Sequence, residues 1–358
     1  MLKIKSKYII KRIFENIQQK KYLNLIKYNK KIQKILDASI RDYKIYLQIE
    51  IELKPKRFYR NEDKFVNLDD KSYVNIYFNN HKRRNKTFYL EVRSIKTIKI
   101  VIDYEIKTLK GLFKNCECIK EINFIKFNRK DISDISEMFY GCKNLDNLNL
   151  LNFKTDRVTN MSYLFYGCSS LKSLNLSNFN TSNVINMQNM LEDCSNLEKL
   201  NLCNFKTEKV VYMNDMFYEC KSLKKINISN FNTVNVVNMS YLFYDCSSLE
   251  DLNLIKFDTS NVKDMSYMFY KCKRIERLNL SKFNFSSVVN MSNMFCGCKN
   301  LINLNISNFN INNNTRIKRM FTGCPSKLET KIREKIINID YSAFEDEENQ
   351  DKDNCYHF

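Results

Sequence analysis

The chain has no tryptophan, two histidines, two prolines and five glycines in 358 residues. Each scarcity removes a class of chemistry. So few glycines leave no glycine-rich loop on which backbone amides could close around a phosphate. His81 and His357 are too few for imidazole acid–base catalysis or for histidine-rich metal sites. No apolar run approaches the roughly 20 residues a membrane-spanning helix needs. The first 20 residues, broken by Lys3, Lys5, Lys7, Lys11, Arg12 and Glu15, hold no uninterrupted apolar core of secretory type. The expectation is a non-enzymatic chain without cofactor or metal, in the cytoplasm unless a leader precedes this sequence.

Charge is plentiful and uneven. Of the net +19, residues 1–100 carry 26 Lys and Arg against 10 Asp and Glu, whereas residues 342–358 carry 1 against 6. A basic head of this kind suits an anionic surface. Abundant Lys, Asn and Ile beside scarce Ala, Gly and Pro is also what an AT-rich coding sequence produces, and on that reading nucleic acid is a disfavoured partner.

The cysteines reveal the organisation. Cys116, Cys142, Cys168, Cys194, Cys220, Cys246, Cys272, Cys298 and Cys324 follow one another at intervals of 26 residues. A fixed period of this size marks a repeat array. Three residues before each stands Phe, or Leu at Leu191, and eleven after it stands Phe, from Phe127 to Phe309. In the unit from Val184 to Phe205, Met187, Met190, Leu191, Cys194 and Leu197 have the spacing of one face of a short helix. Leu200, Asn201 and Leu202 then alternate as a strand does. The residues therefore predict an α/β solenoid of about nine 26-residue repeats, each a short helix and a short parallel strand, over 109–328.

Three rows stand out as candidates. The cysteine row is expected to be buried free thiols filling one small slot per coil, since thirteen is odd and a regular ladder needs no pairing. Asn123, Asn149, Asn175, Asn201, Asn227, Asn253, Asn279 and Asn305 are expected to face outward and hydrogen-bond from coil to coil. Two residues earlier the chain varies, with Glu121, Asn147, Ser173, Lys199, Lys225, Asp251, Arg277 and Asn303 on the same strand face. If that face binds a protein partner, this row sets its specificity. Tyr163, Tyr212, Tyr241 and Tyr267 either recognise a partner or cover the edges of the coils.

The repeat VTNMSYLFYGCSSLKSLNLSNFNTSNV, from Val158 to Val184, closely resembles the BspA-like leucine-rich repeat family, in particular its mycoplasmal and bacterial surface-lipoprotein branch. The resemblance implies a right-handed leucine-rich-repeat-type coil that binds other proteins, and adhesion if the chain is exported.

Residues 4–36 read as amphipathic helix, within a basic helical head over 1–60. The segment KYIIKRIFENIQQKKYLNLIKYNKKIQ resembles an F-box, which implies docking to a Skp-type adaptor of a ubiquitin ligase, with Ile13, Phe14 and Ile17 as the contact residues. A plain helical cap or an oligomerising helix pair fits the same pattern. Residues 61–108 are expected to lead in with short strands around Val74, Ile76 and Phe78 and around Ile98, Ile100 and Ile102, with HKRRNK at 81–86 as a basic loop. Leu328, Ile332 and Ile336 predict a capping helix over 329–341, followed by an acidic disordered tail over 342–358.

Overall fold

The computed structural model describes residues 29–31, 34, 40–57, 60, 63–68, 73–79, 87–90, 94–103, 106–307, 309, 312, 314–336 and 339–345. Most of the predicted helical head, Ile13, Phe14 and Ile17 included, and the basic loop at 81–86 lie outside these residues.

A short helix α1 (Ile40–Leu47) leads into strand β1 (Ile49–Pro55), within the stretch expected to be a helical head. Ile49, Ile51 and Leu53 alternate inward and are fully buried, so period-two burial decides for strand there. β2 (Val74–Phe78) and β3 (Ile98–Ile102) form where alternation predicts strands. With β4 (Ile119–Lys126) and β5 (Asn147–Asn149) they make a five-stranded sheet in the order β2-β3-β1-β4-β5. β1 runs antiparallel to β4, opposite Glu121 at Lys54 and Asn123 at Glu52, and so covers the open edge of the first coil. Lys126 Nζ and Asn128 Nδ2 tie α1 down by donating to the carbonyls of Ile45 and Tyr46 at 2.8 and 3.1 Å.

From β4 onward the chain is an array of stacked 26-residue coils, with small parallel sheets and few helices. β6 (Ser173–Asn175) pairs with β7 (Lys199–Asn201), β8 (Arg277–Asn279) with β9 (Asn303–Asn305), and Lys225 bridges Asp251. The inward residues form one core: Phe113, Phe139 and Phe165 stack at 5.8 and 5.4 Å, and Phe217, Phe243, Phe269, Phe295 and Phe321 continue at 5.4–5.7 Å.

The helix expected in each repeat is absent from the described coils and is replaced by a run of turns. The reason is backbone handedness. The residues five and one before every cysteine of the 26-residue ladder have positive φ, as at Asn189 (55°) and Asp193 (53°), and a left-handed residue cannot continue a right-handed helix. The amides are satisfied another way. Met187, Asn189, Leu191 and Asp193 donate to Tyr212, Asn214, Met216 and Tyr218 of the next coil, while Met190, Glu192 and Cys194 close local turns back onto Met187, Asn189 and Leu191. Gln188 donates to the Asn186 side chain, so no amide of this run lacks an acceptor. Two successive turns carry Met187, Met190, Leu191 and Cys194 inward at the spacing a helix would, which is why apolar periodicity misreads them.

The far end closes in two steps. Helix α2 (Ser326–Lys335) begins three residues before the predicted capping helix, ends at Lys335 rather than at 341, and buries Leu328 and Ile332. A 3-10 turn at Tyr341–Phe344, whose last three residues fall in the stretch expected to be disordered, then lies on the last coil. Arg319 and Phe321 donate to Ser342 and Ala343 at 2.7 and 2.8 Å, and the Phe344 ring extends the phenylalanine column at 5.5 Å from Phe321. Open backbone donors and an exposed ring at the last coil draw this segment into order.

Candidate functional site

The variable row lies on the strand edge. Asn147, Ser173, Lys199, Lys225, Asp251, Arg277 and Asn303 are exposed, and Glu121 is half-buried. At the β1 end this edge is concave: Glu52 and Lys54 of β1 overhang Glu121, Asn123, Asn147, Asn149 and Asn175, enclosing about 440 Å³. Lys54 Nζ meets Glu121 Oε2 at 2.8 Å in an exposed ion pair. Ile125 near the end of β4 and Leu151 beyond β5 stand exposed, Leu151 by 69%.

The asparagine row does not bond from coil to coil as expected. Asn149, Asn175, Asn201, Asn227, Asn253, Asn279 and Asn305 each accept, through Oδ1, the N–H of the residue two ahead at 3.1–3.2 Å. This is an Asx-turn that ends the strand within its own coil. The side-chain bonds between coils come from other rows: Asn152, Asn178, Asn204 and Asn230, ten after the cysteines, donate through Nδ2 to carbonyls of the preceding coil, and a threonine row that sequence reasoning passed over adds to them. Thr207 Oγ1 donates to the Asn232 carbonyl at 2.8 Å and accepts the Asn232 N–H at 2.7 Å, and Thr155, Thr181 and Thr259 repeat the pair. The signal was a Thr at a fixed offset of 13 after Cys in five successive coils. In the first coil buried Arg129 takes that place, held by Asp131 at 2.6 and 2.9 Å and by the Ile106 carbonyl at 2.7 Å.

The cysteines of the ladder are buried, and those described are free thiols. From Cys142 to Cys324 each Sγ–H donates to a carbonyl 29 residues back in the preceding coil, as Cys194 does to Phe165 at 3.2 Å. Burial pushes these thiols up, Cys118 beside them to about 12, which keeps them protonated and unreactive. Among the described residues no group of three or more His, Cys, Asp or Glu side chains could hold a metal ion.

The turn edge carries tyrosines in two rows. Tyr140 and Tyr166 stack at 4.4 Å, and Tyr218, Tyr244 and Tyr270 at 4.4 and 4.7 Å. In the outer row Tyr241 stacks on Tyr267 at 4.7 Å, and Tyr163 sits beside Tyr166 at 5.9 Å. Tyr212 stands apart from these columns, exposed at a bridge between coils. Tyr140, Tyr166, Tyr218, Tyr244 and Tyr270, two before the cysteines, were not singled out by sequence, although their 26-residue spacing was there to read.

Glu192 occupies the inner row between the two stacks. Burial, reinforced by Asp215, Asp193 and Glu219, raises its carboxyl to about 7 despite the amide donated by Asn189. Burial also raises Tyr166 to about 12, with Glu192 as its leading charged neighbour.

Among the described residues no helix is long and apolar enough to cross a membrane. A family model described as "Mycoplasma protein of unknown function, DUF285" matches residues 107–226 and 211–335. No curated protein matches the chain.

Proposed function

The chain belongs to the DUF285 family, and we propose that it is a non-enzymatic interaction scaffold: a right-handed, leucine-rich-repeat-type solenoid that seats a protein partner on its strand edge. The observation that carries this reading is the concavity beneath β1. There a partner meets amides at Asn123, Asn149 and Asn175, charge at Glu52, Lys54 and Glu121, and an apolar contact at the exposed Leu151, with the exposed Ile125 outside the concavity. Buried apolar anchors within a polar rim are what protein recognition uses. The side chains that differ from coil to coil lie along the same edge, whereas the rows that repeat without change are consumed by Asx-turns, thiol bonds and threonine bonds within the stack. A side chain committed to its own coil cannot discriminate partners, so specificity falls to Asn147, Ser173, Lys199, Lys225, Asp251, Arg277 and Asn303 with Glu121.

The test is site-specific photocrosslinking in native cells, with the crosslinker placed at Ser173 or Lys199 on the strand edge or at Lys263 away from it. The expected result is one recurrent partner captured from the strand positions and lost when Asn147→Arg fills the groove. Equal capture from Lys263 overturns the reading.

A further inference from the structure

The turn edge presents a second surface, and the argument for it does not use the strand edge. One position per coil, two before each cysteine, supplies the inner tyrosine column, with Tyr140 and Tyr166 on one side and Tyr218, Tyr244 and Tyr270 on the other. The coil between supplies Glu192, so one ring is missing from an otherwise continuous column. Two stacking steps, on the order of 9 Å, separate Tyr166 from Tyr218. The outer row opens at the same place: Tyr163 precedes the gap, Asn189 and Asp215 lie in it, and Tyr241 follows.

The gap therefore has aromatic walls and a carboxylate floor. Glu192 acts electrostatically on Tyr163, Tyr166 and Tyr218, the rings that frame it. The Asn189 amide donates to one oxygen of Glu192, and the charged side chains that act most on it, Asp215, Asp193 and Glu219, are carboxylates. The nearby Lys221 is engaged by Glu219 at 2.8 Å and Asp245 at 3.7 Å. A flat cation satisfies both halves of such a place, because a guanidinium stacks on aromatic faces and pairs with a carboxylate through a planar fork. An ammonium offers the charge without the plane.

We propose that the gap between Tyr166 and Tyr218 is a docking site for an arginine side chain in a basic peptide segment of a partner protein, the guanidinium taking the place of the missing ring against Glu192.

The experiment uses the full chain and fluorescence anisotropy at physiological salt. The probes are a fluorescein-labelled Gly-Ser-Arg-Gly-Arg-Gly-Ser peptide and its citrulline counterpart, which keeps the shape and removes the charge. The arginine peptide is expected to bind at least about tenfold more tightly than the citrulline peptide. Glu192→Gln, which preserves volume and needs no refolding, is expected to weaken arginine-peptide binding by about tenfold or more, and Glu334→Gln on α2 to leave it unchanged. Tyr218→Leu is expected to weaken it as well, read alongside a melting curve. Equal binding of the two peptides, or arginine-peptide binding indifferent to Glu192→Gln, overturns the proposal. So does a synthetic peptide of residues 1–28 that outcompetes the probe, which would make the occupant this chain's own basic segment. Strand-edge crosslinks should survive Glu192→Gln, so the two surfaces can fail separately.

Discussion

The two edges of every coil are built from the same 26 residues and hold the stack in opposite ways. On the strand edge coils associate in twos: β4 with β5, β6 with β7, Lys225 with Asp251, β8 with β9. On the turn edge the connection is unbroken, with bridges running Asp134, Asn160, Asn186, Tyr212, Asn238, Asp264, Asn290 and Arg316, and up to six amides donated across a step. Cohesion is thus concentrated on the turn edge. The strand edge keeps its variable side chains outward and is the less constrained of the two. A repeat protein can separate holding itself together from meeting others because each coil contacts only its neighbours.

The largest expected effect comes from breaking the turn-edge column. Phe243, buried and stacked between Phe217 and Phe269, should cost about 3–5 kcal/mol on Phe243→Ala, measured by denaturant unfolding.

Glu192→Gln should do the reverse. Its folded-state carboxyl is raised to about 7 from 4.5, so the folded chain takes up a proton that the unfolded chain does not between those values. The ionised group then destabilises the fold above about pH 7, and the penalty disappears below about pH 4.5. Substitution should gain at most about 3 kcal/mol at about pH 8 and nearly nothing at about pH 4. A gain independent of pH would refute the ionised, buried carboxyl as the cause.

Thr207→Val, which strands both the N–H and the carbonyl of Asn232 between two coils, should cost about 2 kcal/mol in the same unfolding assay. In hydrogen exchange, the amides of Asn189, Leu191 and Asp193 should exchange more slowly than those over 225–230, since the first set bonds across the coils and the second spans a step without paired strands on one side. Equal protection would remove the asymmetry. The smallest effect is expected at Lys225→Ala, within about 0.5 kcal/mol by the same unfolding assay, because its side chain is exposed on the strand edge.

Much of the architecture was legible in one chain because the cysteine and phenylalanine intervals never vary: the array, its inward rows and strands such as Lys199–Asn201 follow from period and alternation. The turn segment was misread because Met187, Met190, Leu191 and Cys194 have the same spacing in a helix and in two linked turns. The overlooked signal was polar or glycine residues able to take positive φ, such as Asn189, Asp193 and Gly141, four apart inside the supposed helix. Of the candidate sites, the variable strand row could be read directly, whereas the groove could not, because it needs β1, some 70 residues before Asn123, laid alongside β4.

The sequence by itself determined the period, the direction each apolar side chain takes and the chemistry repeated in each coil, since these are local properties of residue type and spacing. Tertiary structure decided which atoms meet across the coils: that Thr207 and Asn178 with their equivalents bridge them while Asn175 and its row turn back on their own coil, that the thiols from Cys142 onward reach back to the preceding coil, and that Glu192 stands where a tyrosine ring would stack. Those contacts depend on stacking, and an interval along a chain does not say which neighbour lies above.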